Sequence, residues 1–300
     1  MKVLITGGGG FLGAWIVRAL TARGIGVRVM ELREDRRIAR AVLGGELADT
    51  LDWTIGDVRR TDDVRTALRG CDHVIHLAGL LTPACQQDPL LGAAVNVAGT
   101  LNVFEAAKDT GIRKVLYSSS GGVYGPDDPD FPLPTTHYGA FKLANEGSAR
   151  AYWLEHGIAS IGFRPFVIYG PGRETGLTAG PTLACRAVAL GEPYTIPYTG
   201  RSGLVFVGDV AAAYERAIVT SFDGAHVVNQ AGHSTDMSEV IHALRQIDPA
   251  ADIRAEGPPM PSLSTANGFT GEDVLGPLDV TPVSAGLRIT VEHYRKALVV

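Results

Sequence analysis

Cysteine is scarce in this 300-residue chain: Cys71, Cys85 and Cys185 are scattered and form no C-x-x-C pair. That excludes a disulfide framework or a thiolate metal site as the organising feature. Positive charge is not concentrated either. The formal net charge is −5 and no basic run offers an electrostatic footprint for phosphate backbones, so nucleic acid is not an expected partner. No apolar run reads as a bilayer span. Met1 leads straight into a strand-like Lys2–Thr6, which leaves no room for a signal peptide. These absences lead to the expectation of a cytoplasmic protein with no membrane partner. His73 and His76 lie three apart on a strand-like run rather than at helical metal-ligand spacing, so they read as structural and no metal is expected. Internal repeats and low-complexity tracts are also lacking.

Glycine, by contrast, is abundant at 37 residues, which predicts many tight turns or close backbone approaches. Several gather at the start. Val3-Leu4-Ile5 reads as a buried strand, Thr6-Gly-Gly-Gly-Gly-Phe-Leu-Gly13 as a turn, and Ala14 to Ala22 as a helix. Strand, glycine turn and helix are the context in which such a motif binds a dinucleotide, with the pyrophosphate at the helix N-terminus. Two spacings fit: Gly8, Gly10 and Gly13 match G-x-G-x-x-G, while Gly7, Gly10 and Gly13 match T-G-x-x-G-x-x-G. A second strand ends in Glu31, where an acidic residue takes the ribose 2′-hydroxyl of NAD and would repel a 2′-phosphate. Arg33, Arg36 and Arg37 follow closely and could compensate; a solvated helix face is their plainer reading.

Strands at Leu51–Ile55, His73–Leu77, Lys114–Tyr117 and Ile158–Phe163 alternate with helical patterns, among them Ala93 to Asp109. That alternation predicts an α/β fold with a parallel, doubly wound sheet. The Lys114–Tyr117 strand delivers Ser118-Ser119-Ser120 to its C-terminal end, where ligands bind in open α/β sheets. A Pro/Asp-rich loop, 126–136, then leads into Tyr138-Gly-Ala-Phe-Lys142. Residues four apart share a helix face, so the Tyr138 hydroxyl and the Lys142 ammonium can meet at one site. A unit charge at about 4 Å is worth roughly 4 kcal/mol at an effective dielectric near 20. At about 1.36 kcal/mol per pKa unit, that could bring a tyrosine from about 10 towards neutrality and make it a general acid/base.

Taken together, these residues resemble an extended short-chain dehydrogenase/reductase of the NAD-dependent epimerase/dehydratase family. The likeness covers most of the first 220 residues. It rests on Thr6 to Gly13, Gly56-Asp57, His76-Leu-Ala-Gly79, Asn96 to Thr100, the serine run, Tyr138 with Lys142, Arg164-Pro-Phe166, Tyr169-Gly-Pro-Gly172 and Val207-Gly-Asp209. It implies a Rossmann-type domain, residues 1–169 plus 202–231, and a smaller, discontinuous substrate domain, 170–201 plus 232–300. It also implies a catalytic trio. Ser120 would hydrogen-bond the substrate oxygen, Tyr138 would exchange its proton, and Lys142 would hold the nicotinamide ribose and depress the tyrosine pKa. NAD would be held by Gly7, Gly10, Phe11, Leu12, Glu31, Asp57, Val58, Leu77, Ala78, Gly79, Asn96, Tyr138, Lys142 and Pro165. A small-molecule substrate would meet Thr82, Ser120, Gly121, Val167 and Arg173. Family members suggest a homodimer packed through the 93–109 and 138–156 helices. Later in the chain, Leu204–Val207 and His226–Asn229 are expected to rejoin the sheet, Asp209 to cap a helix, and Thr290–Leu298 to form the last helix.

Three functions are compatible with this reading. One is an NAD-dependent dehydrogenase of a small sugar-like or sugar-acid substrate, another a nucleotide-sugar epimerase that retains its NAD, and the third a non-catalytic dinucleotide sensor. An intact trio argues against the sensor, because binding alone needs no activated tyrosine. Gly121-Gly122 argues against a 4,6-dehydratase, whose relatives carry Asp-Glu there. Two departures argue against a nucleotide-sugar. Val167 stands where those enzymes have a diphosphate-contacting asparagine, and Ser202 where they have an arginine, with Arg201 displaced by one. A lone arginine, Arg173, would suit the carboxylate of a sugar acid.

Overall fold

The computed structural model describes residues 1–126, 128–260 and 263–297. The strands along the chain are β1 (Lys2–Thr6), β2 (Gly26–Glu31), β3 (Asp52–Ile55), β4 (His73–His76), β5 (Lys114–Ser118), β6 (Ala159–Pro165), β7 (Val167–Tyr169), β8 (Tyr194–Ile196), β9 (Arg201–Phe206), β10 (Ala225–Gln230), β11 (His233–Asp236) and β12 (Ile253–Ala255). Seven of them make the main sheet in the order β10-β6-β5-β4-β1-β2-β3, all parallel. This is the Rossmann-type α/β fold expected from the alternation. Strand side chains alternate between faces, and both faces are covered. Val3, Ile5, Ile75 and Leu116 enter one core; Leu4, Val74, Val115 and Tyr117 enter the other. Two-sided burial explains why these strands read as continuous apolar runs. The chain winds outward from β1 through β2 to β3, then returns to place β4 on the other flank of β1. That reversal opens a crevice at the C-terminal ends of β1 and β4, where open α/β sheets bind ligands.

Beyond β6 the chain departs from expectation in three respects. The strand containing Leu204 does not rejoin the main sheet: β9 pairs antiparallel with β11 and parallel with β7, in a separate three-stranded sheet. Only β10 returns, alongside β6. A short sheet of β8 and β12 lies next to the helix Gly180–Leu190. Asp209 is not the cap of its helix, Val207–Val219, in which it occupies the first turn. Its carboxylate instead accepts from the backbone N–H (2.7 Å) and hydroxyl (2.6 Å) of Thr281, pinning the C-terminal segment to the helix. The last helix starts at Val283, well before Thr290, because Leu287 and Val291 share a buried face with Gly286 and Thr290. Leu298, and Pro261 of the Pro-rich stretch, lie outside the described residues.

The expected 93–109 helix is part of a longer helical run, Pro89–Thr110, with mean hydropathy 1.3 over its most apolar window, long and apolar enough to cross a membrane. Here Val103, Phe104, Ala106 and Ala107 belong to a core cluster, and the run packs on the helices Thr61–Leu68 and His137–His156. A π-turn at Ala94–Ala98 interrupts it. Such bulges are rare and commonly mark functional sites.

Candidate active site

The crevice is lined first by the glycine turn. Gly7 has φ +73°, and a Cβ there would sit 2.7 Å from the Ala78 nitrogen, so only glycine lets the turn lie against the end of β4. The helix Phe11–Ala22 starts at Gly10 with no side-chain cap. Ala14 is the first residue to find an intrahelical acceptor, at the Gly10 carbonyl. The N–H groups of the first turn, including Phe11 and Leu12, are thereby left facing the crevice with the positive end of the helix dipole. The arrangement fits a pyrophosphate. At the end of β2 the Glu31 carboxylate accepts from Gly9 N (3.0 Å), and burial raises its pKa from the ordinary value. Of the neighbouring arginines, Arg36 and Arg37 are committed elsewhere, while the charge of Arg33 acts on Glu31 itself. Arg36 lies over the Trp53 ring at 4.9 Å and bonds Glu34 and the Leu51 carbonyl, while Arg37 pairs with Asp35. Asp57 holds Arg59 through both carboxylate oxygens, and Val58 is buried under Gly99.

Opposite the glycine turn, Leu77 and Ala78 are tied to β1. Leu77 N donates to the Thr6 carbonyl (3.0 Å) and Ala78 N to the Thr6 hydroxyl (3.3 Å). His76 extends this link inward. Its Nδ1 lies 2.7 Å from Thr6 Oγ1 and its Nε2 3.1 Å from Thr100 Oγ1. Thr100 spends its proton on the Asn96 carbonyl (2.7 Å), so it accepts from Nε2–H and leaves Nδ1 to accept from Thr6. Burial holds this imidazole neutral, with its pKa pushed down to about 3. The structural reading of His76 fits this role.

Asn96 stands in the π-turn, with its side-chain oxygen against Gly79. Its Oδ1 accepts from Leu80 N (2.9 Å) and its Nδ2 donates to Leu80 O (3.0 Å) and to Cys85 Sγ (3.1 Å). The amide therefore fixes the loop carrying Gly79. The Asn96 carbonyl also accepts from Asn145 Nδ2 (2.9 Å) on the helix His137–His156.

That helix carries the Tyr138–Lys142 pair. Thr136 caps it by accepting from Gly139 N (3.1 Å). Gly139 lets its first turn press on the serine loop, because a Cβ there would run into the Gly122 carbonyl. Ser120 caps the single 3-10 turn Gly121–Val123, accepting from Gly122 N (3.0 Å). Its hydroxyl lies close enough to the Tyr138 phenol to favour the phenolate. Lys142 is buried and donates to the Ser118 carbonyl (2.6 Å), with its Nζ 5.7 Å from the Tyr138 ring centroid. Ser120, Tyr138 and Lys142 thus converge at the C-terminal end of β5.

The electrostatics differ from the expectation in one respect. Burial raises the Tyr138 pKa, opposed by the nearby Ser120 hydroxyl and by the charge of Arg173 rather than that of Lys142. Lys142, itself pushed down to about 8 by burial, has its ammonium spent on a backbone carbonyl.

Below the trio lies a buried ion pair that the sequence reading missed. Arg164 (3% exposed) meets Glu146 (8% exposed) through two bonds of 2.8 and 2.6 Å. Ser119 donates to Glu146 (2.5 Å) and Arg164 to the Tyr124 hydroxyl (2.8 Å). Glu146 lies four residues beyond Lys142, and that spacing was the available signal.

The candidate substrate residues are spread around this centre. Thr82 lines a cavity of about 510 Å³ with Gln86, Pro134, Thr136, His137 and Ala140. Pro165 ends β6, and Val167 begins β7, buried and registered against Leu204. Ser202, on β9, is wholly buried and its hydroxyl has no partner among the described residues. Arg201 points outward, bound to the Ser234 carbonyl (2.9 Å) and Glu239 (2.7 Å). Arg173 donates to Thr178 Oγ1 (3.2 Å), with its guanidinium 5.7 Å from the Phe11 ring.

A Rossmann sheet with a dinucleotide cradle and a Ser-Tyr-Lys centre defines an NAD-dependent oxidoreductase class. The NAD-dependent epimerase/dehydratase family model matches residues 3–231. The chain is 30% identical over 310 residues to a UDP-glucose 4-epimerase of Mycolicibacterium smegmatis, covering 98% of this chain and 99% of that one. It is 32% identical over 241 residues to human 3 beta-hydroxysteroid dehydrogenase type 7, covering 69% and 60% of the two chains. The UDP-glucose 4-epimerase of Thermus thermophilus, solved in complex with NAD, superposes with a TM-score of 0.79 at 29% identity, covering 99% of this chain and all of that one. The chain belongs to the NAD-dependent epimerase/dehydratase family, and it is an NAD-dependent enzyme of the extended short-chain dehydrogenase/reductase type.

Proposed function

We propose that the chain is an NAD-dependent oxidoreductase acting on a hydroxyl or carbonyl of a small sugar-like molecule rather than a nucleotide-sugar. In this reading NAD, when bound, accepts or returns the hydride. Ser120 donates a hydrogen bond to the reacting oxygen, and Tyr138 takes or gives its proton. Lys142 holds the ribose and, released from the Ser118 carbonyl, adds its charge to that of Arg173 to favour the phenolate. Positioned proton transfer of this kind contributes about 10²–10⁴-fold in rate.

The observation that carries the choice of substrate is at β9. In the resembling nucleotide-sugar enzymes an arginine seven residues before the equivalent of Asp209 pairs with the diphosphate. Here that position is the buried Ser202, and Arg201 is held on the outside by Ser234 and Glu239. Val167 likewise offers no side-chain hydrogen bond. Losing both contacts removes bonds worth about 1.5–3 kcal/mol each to a charged group. The test is the appearance of NADH when NAD-loaded protein meets a panel of sugars, uronates and UDP-sugars. Turnover of a small sugar without competition by UDP is the expected outcome; micromolar, competitive UDP binding refutes it.

A second reading, a nucleotide-sugar epimerase, is supported by the activity named for relatives such as the Mycolicibacterium protein, which the chain matches end to end. It predicts NAD that co-purifies with the protein and is not released in turnover.

A further inference from the structure

We propose that the buried Glu146–Arg164 pair positions Ser120 against Tyr138. It does so by holding both ends of the segment that follows β5, Ser119 at one end and Tyr124 at the other. The inference rests on the assignment of proton chemistry to Ser120 and Tyr138, not on the choice of substrate.

Glu146 Oε1 accepts from Ser119 Oγ (2.5 Å) and from Arg164 Nε (2.8 Å), and Oε2 accepts from Arg164 Nη2 (2.6 Å). The remaining guanidinium nitrogen, Nη1, donates to the Tyr124 hydroxyl (2.8 Å), which donates in turn to Asn229 (3.2 Å). Both anchors are buried. Between them lie Ser120, two glycines and Val123. Gly121 and Gly122 carry no side chain that could fix the backbone, so the place of the segment depends on its ends. Its middle is pressed against the Tyr138 helix. A Cβ at Gly122 would lie 3.2 Å from Ser120 Oγ and 3.7 Å from Tyr138 Cδ1. A shift at either anchor therefore changes how Ser120 meets Tyr138.

Stability alone does not account for the pair, because apolar residues of similar volume often replace a buried ion pair at no cost. What they cannot supply is an acceptor for Ser119 and a donor for Tyr124. The Ser119 bond, at 2.5 Å, is at the short, strong end of hydroxyl–carboxylate bonds. Lys142 and Glu146 share a helix face and grip the chain leaving β5 at successive residues, the Ser118 carbonyl (2.6 Å) and the Ser119 hydroxyl. When Lys142 leaves the Ser118 carbonyl to hold the ribose, the first tie is lost. The Ser119–Glu146 bond then remains, among the described residues, as the side-chain tie between this helix and the exit of β5. The pair thus keeps Ser120 in place at the step where the lysine moves.

The test follows Tyr138 itself by NMR, in the NAD-loaded full chain with tyrosine carbon-labelled at Cζ and the signal assigned by Tyr138→Phe. Ser119→Ala cuts one anchor and leaves the ion pair, at an expected fall in Tm of roughly 2–4 °C. Between about pH 6 and 10 this variant is expected to displace the Tyr138 signal in the direction that Ser120→Ala displaces it, by at least about half as much. Tyr124→Phe cuts the other anchor and keeps the ring. It is expected to do the same, and it carries the test alone should Ser119→Ala not fold. In turnover, kcat is expected to fall about 10–10²-fold in either variant, with KM and NADH binding within about threefold of wild type. A merely stabilising pair predicts a lower Tm with the Tyr138 signal and kcat unmoved, and that result overturns the proposal. So does a Ser120→Ala variant whose Tyr138 signal matches wild type, since Ser120 is then not what the anchors place. Absence of wild-type turnover on the panel of sugars, uronates and UDP-sugars sinks the oxidoreductase reading instead, and the Tyr138 signal still decides this one.

Discussion

Changing Glu146 to Gln is expected to cost more stability than almost any other single polar change in the chain. The partner Arg164 is 3% exposed and anchored by two bonds to the carboxylate. Glutamine keeps the shape and one acceptor but removes the charge, which leaves a guanidinium in a dry site beside Tyr124 and Phe269. Breaking a buried pair on one side typically costs about 3–5 kcal/mol, a large part of the roughly 5–15 kcal/mol available to a fold. For a chain of this size that is a fall in Tm on the order of 10 °C. The double change Glu146→Gln with Arg164→Met removes the stranded charge and should recover much of the loss, since apolar replacement of a buried pair is often nearly neutral. Differential scanning calorimetry on wild type, both singles and the double provides the cycle. If Glu146→Gln shifts Tm by less than about 2 °C, the pair is solvated in solution and the reasoning fails.

Further outcomes follow from the same geometry. His76 has a folded pKa depressed from 6.5 to about 3, so its contribution to stability is complete above pH 6.5 and is lost as pH falls from there towards 3. Stability should drop by up to about 1.4 kcal/mol per pH unit in that window. In urea titrations His76→Gln should show a shallower acid slope than wild type, and parallel profiles would count against the buried neutral imidazole. Glu31→Ala should weaken NAD and narrow its advantage over NADP, as read by calorimetry. Unmodified protein that prefers NADP would shift attention to Arg33. Asn145→Ala should slacken the tie between the π-turn and the Tyr138 helix at a cost of about 1 kcal/mol, and unchanged stability would show that this bond carries little.

Much of the crevice was legible before any coordinates. The glycine turn, Glu31, the serine run and the Tyr138–Lys142 spacing are local patterns, fixed by residues within a few positions of one another. The strands were legible because β1, β4, β5 and β6 are buried on both faces and so read as apolar runs. What escaped is non-local. The pairing of β9 with β7 and β11 depends on partners 29 to 37 residues away, and a short apolar strand does not announce which sheet it joins. The Glu146–Arg164 pair joins a helix to a strand 18 residues on, where either residue alone reads as surface charge. The electrostatics of Tyr138 also escaped. Helical spacing puts Lys142 on the right face but cannot show that its ammonium donates to the Ser118 carbonyl, or that the charge of Arg173, from a later loop, acts on Tyr138. Asp209 has the composition of a cap, yet its true partner, Thr281, is 72 residues further along.

The central claim is that Tyr138 exchanges the proton of the reacting oxygen, and Tyr138→Phe tests it most directly. NADH binding, followed by fluorescence titration, should stay within about threefold of wild type, because Lys142 and the glycine turn are untouched. Turnover of the best substrate from the sugar and uronate panel should fall about 10²–10⁴-fold, the range for loss of a positioned acid/base. Retention of more than about a tenth of the wild-type rate with normal cofactor binding would contradict the account and assign the proton to another group.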